Sequence, residues 1–217
     1  MQAKIILMAE KVYGTLLLIE KGFMDNKLEP LALAIKEERL VNEMEKILSK
    51  SIIDISKQAS GPTGLPPDLR SNRIGDRPGG TTAANERKDL ALMGQVVETL
   101  ERMGDEAANL VERIEIKVVE KLLFSDLGVA EFNETFGAMK RSVEMMIEFL
   151  KEKDPALKER IIYNGFHVKE LVERYRKEHF ERLVQGVCTP MAANMYFDML
   201  DYTGNLARHS SSIVKLF

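Results

Sequence analysis

Glu101 and Asp105 stand four residues apart in the run Leu100-Glu101-Arg102-Met103-Gly104-Asp105-Glu106-Ala107-Ala108-Asn109-Leu110. On a helix that spacing stacks two carboxylates one turn apart on a single face. Paired oxygens of this kind suit a hard cation, which takes several oxygen ligands from more than one element. Leu100, Met103, Ala107, Leu110 and Ile114 recur at helical spacing and mark the buried stripe, with the two acids at its border. Gly104 costs about 1 kcal/mol against alanine inside a helix. Its place beside the acids therefore marks a close approach, by an ion or by a neighbouring backbone. Glu38 and Asn42 repeat the i, i+4 arrangement upstream, on a face that also carries Ala34, Val41 and Leu48. Asparagine ligates through its carbonyl oxygen but brings no charge. Most acidic pairs at this spacing are solvated surface, and that reading stands beside the metal one.

These pairs need helices to hold them, and the chain supplies six. The 217 residues are 45% hydrophobic and 30% charged, with no Trp and with Leu, Ile, Met, Glu and Lys abundant, a balance that favours an all-α protein. Periodicity and stop signals place helix one from about Gln2 to Lys27, a tight break from Asn26 to Pro30, and helix two to about Ala59. Helix three is expected from near Glu86 to about Phe124, with Ser125 to Gly128 as a turn. Helix four spans about Ala130 to Lys153. Asp154-Pro155 then reads as an N-cap with proline at the first helical position, opening helix five to about Gln185. Thr189-Pro190 repeats that signal for helix six, which runs close to the last residue. Short connections favour antiparallel neighbours, so each triplet should form its own bundle: residues 1–124 and residues 125–217.

Between helices two and three lies a Gly/Pro-rich insertion over 60–85, with Pro62, Pro66, Pro67 and Pro78 among five glycines. Asp68, Arg70, Arg73, Asp76 and Arg77 give it mixed charge suited to an acidic partner or lipid phosphates, although a passive linker is the commoner role for such a stretch. Asn72 to Asp76 echoes the acidic motif without a helix to align it. Gly79-Gly80-Thr81-Thr82 suggests a phosphate loop, yet no Gly-Lys-Ser/Thr follows it. Both are read as loop chemistry.

The letters around Glu101, Leu-Glu-Arg-Met-Gly-Asp-Glu-Ala-Ala-Asn, resemble the signature of the PhoU family, whose members are two tandem three-helix bundles. The resemblance implies that Glu101 and Asp105, with Glu38 and Asn42 from helix two, supply ligands to a metal, and that Asn42 replaces the usual aspartate. It leaves the ion open as iron, manganese, zinc or magnesium. His179-Phe180-Glu181-Arg182-Leu183 and Tyr196-Phe197-Asp198-Met199-Leu200 resemble the second repeat of the PhoU-like domains associated with bacterial sodium/phosphate cotransporters. Carried forward, that pattern puts Gly204 and Arg208 where the second repeat's helix-six acids belong. It puts Gly165 and Lys169 where the helix-five acids belong. The second site is thus degenerate, because an arginine and a lysine repel a cation.

From the resemblance follows an expected role in phosphate transport or phosphate signalling, exercised by docking on a membrane transporter or its associated sensor kinase. A homodimer and peripheral contact with the inner face of the membrane are compatible with that role. A helical scaffold with no phosphate connection is the alternative. A net charge of −3 gives no support for nucleic-acid binding. Cys188 is the single cysteine, which rules out an intramolecular disulfide and suits a reducing, cytoplasmic setting. The stretch Ile5 to Phe23 is interrupted by Glu10, Lys11, Glu20 and Lys21, so neither a membrane span nor an export signal is expected. No nucleophile motif is present, and Glu131 to Glu134 and Glu170 to Glu173 lack the histidine of a Glu-x-x-His metal pair, so no enzyme is expected. His179 is expected to pack between helices. Met139, Met145, Met146, Met191, Met195 and Met199 are read mainly as core, with an adaptable partner groove as the alternative.

Overall fold

The structure is a computed structural model that describes residues 1–59, 80–122 and 124–217. These form six helices: α1 (Gln2–Asp25), α2 (Leu28–Ala59), α3 (Gly80–Val119), α4 (Asp126–Glu152), α5 (Pro155–Val184) and α6 (Pro190–Lys215). Most of the proline- and glycine-rich insertion, with its five charged residues and the Asn72–Asp76 echo, lies outside the described residues.

Local chemistry explains most of the boundaries. Asp154 accepts a hydrogen bond from the Ala156 N–H at 2.9 Å, and Thr189 accepts from the Ala192 N–H at 3.3 Å. Both cap–proline signals therefore open the helices they announce. Helix α1 ends where Asn26 turns left-handed at φ 51, and the Lys27 N–H closes the turn on the Gly22 carbonyl. Pro30 falls in the first turn of α2, where its missing N–H has no helical acceptor to lose.

Three boundaries differ from the sequence expectation. Helix α3 begins at Gly80 rather than near Glu86, so Gly80, Thr81 and Thr82 of the phosphate-loop-like stretch belong to its first turn. Ala83 and Ala84 carry strong helix propensity and extend the helix upstream. The same helix stops at Val119, short of Phe124, because Lys121 adopts φ 51 and the Leu122 N–H returns to the Lys117 carbonyl at 2.9 Å. This is a left-handed stop made by a lysine rather than a glycine. Ser125 caps α4 by accepting from the Gly128 N–H at 3.1 Å, so Ser125 to Gly128 is a helix start and not a turn.

Helices α1, α2 and α3 pack on one another, as do α4, α5 and α6. The two triplets meet where α3 lies on α6 and α1 lies on α4. Their buried apolar side chains form one continuous core. The Phe23 ring of α1, 4.6 Å from the Phe132 ring of α4, is part of that junction. Leu100, Met103, Ala107, Leu110 and Ile114 are all fully buried. Met139, Met146, Met195 and Met199 are buried as well, Met145 packs against the core, and Met191 is exposed. Among the described residues no helix is long and apolar enough to cross a membrane.

Candidate functional site

The two sequence pairs of the first triplet meet across the α2–α3 seam. A Cβ added at Gly104 would stand 3.3 Å from Val41 Cγ1 and 3.9 Å from Glu38 Cγ. The close approach at Gly104 is therefore made by α2, whose side chains slot against bare backbone. Glu38 is only 8% exposed, and one of its oxygens accepts a 2.5 Å hydrogen bond from Asn42 Nδ2. The Asn42 Oδ1 atom is buried with no hydrogen-bond partner. A largely buried glutamate with no ion pair among the described residues and a buried carbonyl without a donor are both costly arrangements. Each is the kind of oxygen a hard cation takes.

Across the seam, Glu101 is half-buried and Asp105 exposed. Burial pushes the Glu101 carboxyl above the usual carboxylate range, and the charges of Asp105 and then Glu45 push it further. Glu45 escaped the sequence reading. It lies seven residues after Glu38 and three after Asn42, so it extends the same face of α2, and the signal was present in the spacing. Its carboxylate accepts from Ser49 Oγ at 2.7 Å. The outcome is an acidic seam rather than a finished cage: among the described residues no three His, Cys, Asp or Glu side chains are gathered around one point.

Gly165, Lys169, Gly204 and Arg208, the corresponding positions of the second triplet, also come together. All four line one groove of about 420 Å³ between α5 and α6. No acid occupies any of the four positions. Lys169 is 3.6 Å from Glu173, and Arg208 reaches Asn205 Oδ1 at 3.3 Å.

A buried polar network that the sequence reading missed ties the second triplet together. Arg182 of α5 makes two hydrogen bonds to Glu131 of α4, at 2.8 Å and 2.5 Å. Tyr196 of α6 donates to the same carboxylate at 3.0 Å. The ring of His179 stacks on that of Tyr196 at 4.1 Å, and its Nδ1 lies 3.1 Å from Arg182. Burial and the Arg182 charge hold His179 down at about 4, against the smaller pull of Glu131. The imidazole is thus neutral at pH 7. Glu131 and Arg182 are 51 residues apart, so no local pattern signals the pair.

A second buried histidine sits between the triplets. His209 of α6 lies 4.0 Å from Glu106 of α3, but burial and the charges of Arg208 and Arg102 hold it at about 4. We read the contact as a neutral imidazole beside a carboxylate, since 4.0 Å is the outer limit of an ion pair and desolvation dominates. Asn205 donates to Glu106 at 3.1 Å, and Arg113 Nε lies 3.0 Å from Asp198 Oδ2. The α3–α6 junction is therefore polar in part as well as apolar.

No family model and no curated protein matches the sequence. Among solved structures the chain is similar to PhoU from Pseudomonas aeruginosa, with a TM-score of 0.81 at 14% identity, over 99% of this chain and 91% of that one. The six helices in two packed triplets are, in architecture, the fold of that PhoU.

Proposed function

We propose that this protein is a PhoU-like regulator of phosphate transport or phosphate signalling. It acts by binding rather than by catalysis, docking on a membrane transporter or its associated sensor kinase at the membrane's inner face. The observation that carries this reading is the likeness of fold to PhoU along nearly the whole chain, joined to an acidic seam on α2 and α3. Glu38, Glu101 and Asp105 would hold an ion with carboxylate oxygens, and Asn42 with its unpartnered Oδ1. A divalent or trivalent metal bound there supplies positive charge that offsets the crowding of these acids. Neutralised in this way, the α2–α3 face is stiffened for docking.

The test is phosphate uptake in cells lacking the gene, complemented by the wild type or by the Glu101→Ala/Asp105→Ala variant. Deletion should alter uptake, the wild type should restore it, and the variant should restore it poorly. Unchanged uptake on deletion would favour a helical scaffold with no phosphate role, a reading that the acid-free positions of the second triplet also support.

A further inference from the structure

The groove between α5 and α6 is more than a site that has lost its acids. Gly165 and Gly204 let α5 and α6 approach closely along it. A Cβ on Gly165 would stand 2.4 Å from Ser211 Oγ, and one on Gly204 would stand 3.4 Å from Val172 Cγ2. With about 420 Å³ open, the groove falls within the range of small-molecule clefts, roughly 300–1,000 Å³.

Charge is distributed unevenly along it. At one end Arg176 is ion-paired with Asp201. Lys169 shares its charge only loosely with Glu173, both being largely exposed, so that pair contributes little. Toward the other end, Arg208 bonds to the neutral Asn205 and feels the charge of Glu106 behind it without forming a close ion pair, and Lys215 makes no hydrogen bond or ion pair among the described residues. Glu106, an acid of α3 that feels the Arg208 charge, also accepts a hydrogen bond from Asn205. Arg208 and Lys215 are seven residues apart and so lie on one face of α6, about 10 Å apart along the axis. Both side chains are long enough to converge on one group between them. Opposite them, Ile162, Phe166 and Val172 give an apolar wall, with Phe166 61% exposed.

We propose that this groove binds a small organic phosphate monoester, its phosphate between Arg208 and Lys215 and its organic part against Phe166, Ile162 and Val172. Two cations that make no close ion pair among the described residues match the charge of a phosphomonoester, about −1.5 to −2 at neutral pH. A guanidinium also meets phosphate oxygens through paired hydrogen bonds. The apolar wall has nothing to offer inorganic phosphate, which is why an ester is favoured over the free ion. The proposal is separate from the regulatory reading, and unchanged phosphate uptake in cells would leave it intact.

The experiment is titration of the full chain with 1-naphthyl phosphate, with inorganic phosphate and 1-naphthol as parallel arms. The wild type should bind the ester saturably, more tightly than either arm, and less tightly as salt rises. Arg208→Gln/Lys215→Gln should weaken the ester about tenfold or more, since charged hydrogen bonds are lost. Phe166→Ser should weaken the ester while leaving inorganic phosphate unchanged. All these positions are exposed, and circular dichroism checks that the variants stay folded. Absence of saturable ester binding, or equal binding by the charge variant, would overturn the proposal. Inorganic phosphate binding as tightly as the ester would overturn the assignment of an organic ligand.

Discussion

Replacing Arg182 with alanine is expected to lower unfolding free energy by about 3–5 kcal/mol, because it strands the Glu131 carboxylate in the core. The side chains of Arg182 and Glu131 are 14% and 4% exposed. Glu131 receives both guanidinium hydrogen bonds and the Tyr196 hydroxyl, so one carboxylate joins α4, α5 and α6. Without Arg182 the charge has only a phenol to face. For a chain of this length the loss corresponds to a fall in Tm of about 6–20 °C. The double replacement Glu131→Gln/Arg182→Met should recover part of it, since neither buried charge then remains. Thermal unfolding of the two variants measures both quantities. A single-variant loss below about 1 kcal/mol would mean that water reaches the pair and that the network does not hold the second triplet.

Mild acid should destabilise the protein through His179 and His209. Each is held at about 4 in the folded state, against an ordinary value of 6.5. A base whose folded pKa is depressed contributes stability that is complete above the unfolded value and is lost as pH falls from 6.5 toward 4. By pH 5 the loss should reach about 2 kcal/mol per histidine, from a shift worth 1.36 kcal/mol per unit. His179 is faced by Arg182 and Glu131 and stacked on Tyr196, with the Phe197 ring edge-on. His209 is faced by Glu106, Arg208 and Arg102. Burial raises the Glu106 carboxyl above the usual carboxylate range, which works against part of that loss as pH falls. Urea unfolding between pH 7 and pH 5, repeated on His209→Gln, separates these contributions. The wild type should weaken steadily over that range and the variant less steeply. A wild-type profile flat from pH 7 to pH 5 would contradict the burial argument.

What could be read from the sequence was local. Asp154-Pro155 and Thr189-Pro190 announced their helices because a cap and a proline act within one turn. The stripe from Leu100 to Ile114 declared its burial through its period. Gly104 announced a close approach, although only the structure shows that Val41 and Glu38 make it. Other boundaries are decided by distant contacts. The end of α3 is set around Lys117, which is buried, bonded to Asn26 Oδ1 and placed over the Phe23 and Phe124 rings. Nothing near Val119 in sequence signals that stop. Gly128 suggested a turn because glycine is a common breaker, but here its N–H serves the Ser125 cap. Glu131 and Arg182 look like ordinary charges on helix surfaces until three helices enclose them. At the seam, spacing supplied Glu38, Asn42, Glu101 and Asp105, and the structure adds Glu45 by its effect on Glu101.

A cation held at the α2–α3 seam should show itself in calorimetric titration of Mn²⁺, Fe²⁺ or Zn²⁺ into the metal-free protein. Saturable binding by the wild type is expected, with a loss of about tenfold or more in affinity in Glu101→Ala/Asp105→Ala, since removing ligands costs at least the roughly tenfold that removing their outer-shell partners costs. Equal uptake by the wild type and the double variant would contradict it.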